Sequence, residues 1–259
     1  MKITVLTENY AKSKGILAEH GLSLYVETEN QKILFDMGQS DVFLKNAEKL
    51  GVDVGNVDFA VLSHGHYDHG GGAFTFLEKN EKAPLYVSEN AFGNFFSKNG
   101  YIGLDKKLSL EKRIVLLNKE TEIFKNVFLV QGNAFEMKEE NFSKGLKKEI
   151  DFGMITDDFL HEQYLLINEK GKKILISGCS HRGILNIMEH FNPDVFVGGL
   201  HLSSLGYDSK KLNYIAEKLS RYNTEYYTCH CTGIEQYGAL KQILKDRIQY
   251  INCGQSFEI

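Results

Sequence analysis

The chain is poor in the features that would divide, staple or anchor it. Its 259 residues hold only two prolines and no Pro/Ser-rich or low-complexity stretch. Nothing therefore reads as a linker, and one domain over residues 1–259, large enough for a sizeable core, is expected. Cysteine is sparse too: Cys179, Cys229, Cys231 and Cys253 are too scattered for a disulfide framework and read as reduced thiols, two of them flanking His230. Neither sign of charge dominates, with 30 Lys and Arg against 34 Asp and Glu and a formal net charge of −4. No basic stripe forms, which excludes a nucleic-acid surface; the densest basic run, KGLKK at 144–148, reads as a solvated face. No apolar run approaches the ~20 residues that cross a bilayer. The chain begins in the strand-like KITVLT without a basic and then apolar leader, so a cytoplasmic protein with no membrane partner is expected.

What is present is concentrated in VLSHGHYDHGGG, residues 61–72. The apolar run before it reads as a buried strand and the glycines after it as a tight turn into a helix. Between them stand His64, His66, Asp68 and His69. Imidazole and carboxylate are donors that suit a borderline cation such as zinc, and a catalytic site needs several while leaving a position for water. One short loop cannot encircle a metal, so further ligands are expected elsewhere.

The same strand-loop-helix grammar recurs later. A hairpin over residues 163–177 runs into SGCSHRGILN, which puts Cys179 and His181 at a strand end. A buried strand leads into GGLHLSS with His201, and another into HCTG with His230. Strands that end on one edge of a layered α/β fold would bring these loops together. His181-Arg182-Gly183 and His230-Cys231-Thr232-Gly233 both precede helical patterns, where free backbone N–H groups favour anions. Arg182 adds a planar charged fork suited to phosphate, so Arg182 and Thr232 are candidate substrate contacts for an anionic small molecule. Elsewhere residues 41–50 and 72–79 read as helices, and residues 89–97 as a helix carrying three phenylalanines for the core. Residues 132–158 are long, polar and weakly patterned, which reads as a lid or substrate loop near the mouth of the site.

The HxHxDH pattern in that setting resembles the metallo-β-lactamase superfamily. The resemblance implies an αββα four-layer sandwich with mixed sheets and a one- or two-metal hydrolytic site at one edge. It implies that Asp36, at the end of an early strand, braces the HxHxDH loop, and that His230 is the last metal-binding histidine. Departures accompany it. Cys179 stands where the family usually carries a bridging Asp, with His181 two residues on. The usual histidine before the 163–177 hairpin is missing from TDDFLHEQ, leaving Asp157, Asp158 and His161 as substitutes, with Asp158 favoured by counting back from the strand and His161 the next. The Gly-Gly-led loop makes His201 a candidate for substrate binding or proton transfer. LFDMGQS, LSHGHYDHGGG, SGCSHRGILN, GGLHL and HCTG together resemble the dihydropterin-methyl-ribofuranosyl-aminobenzene 5′-phosphate synthase branch.

The expected metal ligands are thus His64, His66, Asp68, His69, His181 and His230, with Cys179 and Asp158 as further candidates. Zinc is the expected ion, one or two per chain, with manganese or iron as alternatives. A metal-activated water would hydrolyse a phosphate-bearing or other anionic, pterin-related molecule, with Asp68 orienting the nucleophile or taking its proton. A non-catalytic metal-dependent sensor and a diiron redox protein are the alternatives on the same fold, although redox relatives resemble HxExDH and position 66 is His.

Overall fold

The computed structural model describes all residues from Met1 to Ile259. Strands β1 (Lys2–Thr7), β2 (Ser23–Glu27) and β3 (Lys32–Phe35) open the chain as an antiparallel meander. Helix α1 (Val42–Leu50) stops at left-handed Gly51 and leads to β4 (Phe59–Val61), which pairs parallel to β3. Two short helices, α2 (Tyr67–Gly70) and α3 (Ala73–Lys79), precede β5 (Leu85–Ser88). A hairpin of β6 (Phe95–Ser97) and β7 (Gly100–Tyr101) intervenes before β8 (Ile114–Leu117) joins β5 in parallel.

The second half repeats the plan. Strands β9 (Thr121–Phe124) and β10 (Val127–Gln131) are followed by a hairpin of β11 (Lys147–Ile150) and β12 (Gly153–Thr156). Strands β13 (Gln163–Glu169) and β14 (Lys172–Ile176), then α4 (Ile184–Phe191), β15 (Val195–Gly198), α5 (Lys210–Ser220), β16 (Glu225–Thr228), α6 (Ile234–Leu244) and β17 (Ile248–Tyr250) complete the second sheet. Last, β18 (Ser256–Glu258) crosses back to pair with β1. The strand orders are β18-β1-β2-β3-β4-β5-β8 and β17-β16-β15-β14-β13-β10-β9.

Strand alternation builds the layers. Ile33 and Phe35 of β3 face inward, against a set that includes Leu129, Ile176 and Val197 of the second sheet, while Leu34 between them faces the helices. In β15, Val195 and Val197 enter the same central core and Phe196 turns outward to α4 and α5. Such strands are buried on both faces and read as continuous apolar runs. Helices α1 and α3 cover one sheet and α4 to α6 the other, which is the αββα sandwich. The parallel strands β4, β14, β15 and β16 deliver their ends to one edge.

Two segments differ from the sequence reading. Residues 89–97 are not a helix: a short 3-10 turn at Glu89–Phe92 is interrupted at extended Gly93, and β6 follows. Strand β6 pairs with β7 on one side and with β11 on the other, where Phe96 stands opposite Lys147 and Phe95 opposite Lys148. Strand pairing across some fifty residues of sequence thus overrides local helical periodicity. For the same reason 132–158 is not irregular throughout, since its second part forms β11 and β12 in a small four-stranded sheet with β6 and β7. No helix is long and apolar enough to cross a membrane.

Candidate metal centre

The first loop leaves β4 at Leu62 and is packed from below by strain-tolerant backbone. Asp36, at φ +58°, turns its carboxylate under the loop, where it accepts from Ser63 N at 2.7 Å, Ser63 Oγ at 2.7 Å and His69 Nδ1 at 2.6 Å. Ser63 spends its only proton on Asp36, so its oxygen accepts from His64 Nδ1 at 2.8 Å. Each bond leaves an Nε2 directed into the site. The glycines are steric requirements: a Cβ on Gly71 would stand 2.4 Å from Gln39 O, and on Gly72 2.2 Å from Met37 O. Only without side chains can α2 press against the Met37–Ser40 turn and present Asp68 and His69.

Three loops of the second sheet close over this one. His181 enters after β14, with Ser143 Oγ 2.8 Å from its Nδ1. His230 follows β16 and donates from Nδ1 to Asn9 Oδ1 at 2.8 Å. Cys179 Sγ lies 3.1 Å from His69 Nε2, and His230 Nε2 lies 3.3 Å from the same atom. Asp68 Oδ2 is 3.4 Å from His230 Nε2 and 3.8 Å from His69 Nε2. Beside this group His64, His66 and His181 form a second, with ring centroids 4.6 to 4.9 Å apart. Their three Nε2 atoms are buried and have no hydrogen-bond partner. Buried polar atoms are rarely left so, and an orphan costs about 1–3 kcal/mol. Three orphan imidazole nitrogens are the donors a cation would satisfy, and the ligand atoms of His69, Cys179 and His230, within 4.8 Å of one another, fit another. Cys179 also lies within 4.8 Å of the ligand atoms of His64 and His181, between the two positions.

The electrostatics agree with cation sites. Burial pushes His64 and His181 well below the ordinary imidazole range, and His66 down to about 3. Burial likewise lowers His201 and His230 to about 4. These rings are neutral lone-pair donors at pH 7. His69 is the exception: burial opposes its charge, but Asp36 and Asp68 outweigh burial and raise it to about 9. Burial would also raise Asp68, yet His69, His20 and His230 hold it well below the usual carboxylate range. Four of the residues with left-handed backbone, Asp36, Ser180, His201 and His230, are in this site. Such conformations cost of order 1–3 kcal/mol outside glycine and concentrate where geometry serves function.

A cleft of about 370 Å³ opens above, lined by His66, Asp68, Cys179, His181, His201 and His230, with Tyr10, Tyr67, Asn99 and Leu146 on its walls. His20 is largely exposed at its edge, with Nε2 3.3 Å from Asp68 Oδ2. All six expected ligands, His181 among them, and the further candidate Cys179 are therefore brought together. Asp158 is not: its carboxylate pairs with Lys148 at 2.6 Å. Nor is His161 free, since its Nδ1 accepts from Gly65 N at 3.1 Å and its Nε2 donates to Asp157 at 3.0 Å.

Arg182 and Thr232 also stand outside the cleft. The Arg182 guanidinium donates to the carbonyls of Asp158 at 2.8 Å and Phe135 at 2.6 Å. Thr232 is fully buried, and its hydroxyl accepts from Leu200 N at 2.8 Å, fixing the turn that carries His201. The backbone N–H groups expected to receive an anion already hold an internal one. Buried Glu162 accepts from His181 N at 2.7 Å and Arg182 N at 3.0 Å, and buried Glu8 accepts from His230 N at 3.2 Å. Burial raises both carboxyls, Glu8 to about 7. Glu8, Asn9, Ser143 and Glu162 were not legible as site residues. The only signal was polar residues at a strand's start or end, as in TENY and HEQ.

A family model described as the metallo-β-lactamase superfamily matches residues 17–116. An uncharacterized protein of Methanocaldococcus jannaschii, MJ0448, is 30% identical over 250 residues, covering 93% of this chain and 94% of that one. A second protein of that organism, 7,8-dihydropterin-6-methyl-4-(β-D-ribofuranosyl)-aminobenzene-5′-phosphate synthase, is 27% identical, covering 98% of this chain and 95% of its own. The crystal structure of Tm1679, described as a metal-dependent hydrolase of the β-lactamase superfamily, superposes with a TM-score of 0.84 at 32% identity, over 100% of this chain and 99% of that one.

Proposed function

The chain belongs to the metallo-β-lactamase superfamily, and from that premise we propose that it is a metal-dependent hydrolase of a small molecule bound in the cleft above Asp68. The observation that carries this reading is the three buried, unpartnered Nε2 atoms of His64, His66 and His181, with the ligand atoms of His64, Cys179 and His181 and those of His69, Cys179 and His230 each gathered within 4.8 Å. His64, His66 and His181 would hold one ion, and Asp68, His69 and His230 a second, with Cys179 between them. The donor set of imidazole, carboxylate and thiol favours zinc; iron is the next fit, and the sulfur disfavours manganese. Bound there, the metal would lower the pKa of its water to ~7 and supply hydroxide at neutral pH.

The chain's own residues do the rest. Asp68, ionised at neutral pH, orients the attacking water or accepts its proton. Half-buried His201 lines the cleft beside His181 and, as a neutral imidazole, binds substrate by hydrogen bonding or accepts a proton. A phosphate-bearing, pterin-related substrate is supported by the likeness to the relative named as a phosphate synthase. No Lys or Arg is among the cleft residues, so an anionic reacting group would be held at the metal positions, with His20 and His201 among the lining side chains.

The test is metal analysis of purified protein together with turnover on phosphodiesters, phosphomonoesters, thioesters and lactones. Bound zinc and hydrolysis of one class, both lost in His64→Ala and His69→Ala, are expected. Protein without transition metal whose hydrolysis survives those substitutions would sink the proposal.

A further inference from the structure

We infer that residues 135–158 form a lid whose seating is linked to metal binding, with Ser143 as the positioning residue that joins the lid to His181. The inference rests on His181 being a metal ligand through Nε2.

Three sets of contacts converge on one turn of chain. Arg182, next to His181, holds both ends of the segment: its guanidinium donates to Phe135 O at 2.6 Å and Asp158 O at 2.8 Å. Asn186, one helical turn on, holds the near part. Its Oδ1 accepts from Lys138 N at 2.8 Å and Glu139 N at 2.7 Å, and its Nδ2 donates to Glu139 O at 2.9 Å. At the tip, Ser143 Oγ lies 2.8 Å from His181 Nδ1 and 3.3 Å from His201 Nδ1.

Residues 147–156 are tied to the body through the pairing of β11 with β6. The movable part of the lid is therefore 136–146, held otherwise by buried Phe142 and by surface pairs of Glu139 with Lys218 and Glu140 with Lys211. Phe142 and Ser143 are buried, whereas 136–141 and 144–146 are exposed or half-exposed. Few buried apolar contacts mean that local opening costs much less than global unfolding. Opening would withdraw Ser143 and leave His181 Nδ1 without its partner. An outer partner fixes a ligand's tautomer and ring orientation and is worth 10- to 100-fold in metal affinity. Anything that holds His181 in its ligating orientation therefore also favours the seated lid, and by thermodynamic reciprocity a seated lid strengthens metal binding by the same factor. Leu146, on the same segment, lines the cleft, so lid state and cleft shape change together.

The experiment is hydrogen exchange of the full chain, metal-free and zinc-loaded, with zinc affinity measured by competition against a chromophoric chelator. Zinc should slow exchange across residues 137–146 by about tenfold or more, while the central strands stay unchanged. Asn186→Ala, which touches no ligand, should speed lid exchange and weaken one zinc site by about 5- to 150-fold. Ser143→Ala should still bind zinc, more weakly, and its lid exchange should no longer respond to the metal. Zinc binding that leaves lid exchange unaltered, or an Asn186→Ala lid that opens without change in zinc affinity, overturns the linkage alone. Failure to bind zinc at all overturns the hydrolase reading as well.

Discussion

The two seven-stranded sheets follow one plan, three antiparallel pairings and then three parallel ones, yet they furnish the site differently. The first sheet places His64, His66, Asp68 and His69 on one loop, fastened by a single buried carboxylate, Asp36. The second supplies Cys179, His181, His201 and His230 from three loops. Its rings are fastened by neutral groups, Ser143 behind His181 and Asn9 behind His230. A contiguous loop can be oriented by one charge because its members share a backbone. Loops from separate strands must each be tied down, which is what Glu162 and Glu8 do for the backbone at His181 and His230.

The sharpest way to break this contrast is to remove the charged brace. In metal-free protein Asp36→Ala strips a buried partner from His69 and Ser63 and should cost about 3–5 kcal/mol in urea unfolding. A loss no greater than that of Asn9→Ala, about 1–3 kcal/mol for an orphaned donor, would show that the braces are equivalent.

The pH dependence should separate His69 from the other candidate ligand imidazoles by sign, since His64 and His66 of its own loop are lowered like those of the second sheet. His69 has its folded value raised from 6.5 to about 9, so its contribution to metal-free stability is fully present below pH 6.5 and is lost as pH rises through about 9. The shift corresponds to ~3 kcal/mol. His201 and His230 are lowered to about 4, so their contribution is held above pH 6.5 and lost as pH falls towards 4. Asp36→Ala should erase the alkaline loss and keep the acid one. Unfolding curves across pH 4 to 10 that lose both arms together would contradict the assignment.

Asn9→Ala should weaken zinc at the His230 position by about 10- to 100-fold, with Asn9→Asp restoring or exceeding wild-type affinity, as read by chelator competition. Equal affinities in all three proteins would leave Asn9 no part in the site. The smallest effect is expected at Phe152, 97% exposed on the turn between β11 and β12. Phe152→Ser should change stability by no more than ~0.5 kcal/mol in thermal unfolding.

Local pattern carried much of the fold. Apolar runs marked β4, β15 and β16, residues 184–191 matched α4, and histidines dense within six positions marked the first loop. Residues 89–97 misled because the pairing that makes Phe95–Ser97 a strand comes from β7 on one side and, on the other, from Lys147 and Lys148 far along the chain. Asp158 misled through its position in sequence; in space it turns to Lys148, while His161 serves the Gly65 backbone. Arg182 had the right chemistry for phosphate but meets two carbonyls of its own chain.

By itself, then, the sequence determined the layered α/β class and marked VLSHGHYDHGGG, His181 and His230 as candidate metal donors, because each is written in contiguous residues. Tertiary structure alone decided that Cys179 and His181 both reach the site and that the helix N-termini expected to bind a substrate anion are filled by Glu162 and Glu8. It also tied the 135–158 segment to His181 through Ser143. Those outcomes depend on which side chain fills a given position in space, and residues far apart in the chain compete for it on distance and desolvation, which spacing does not encode.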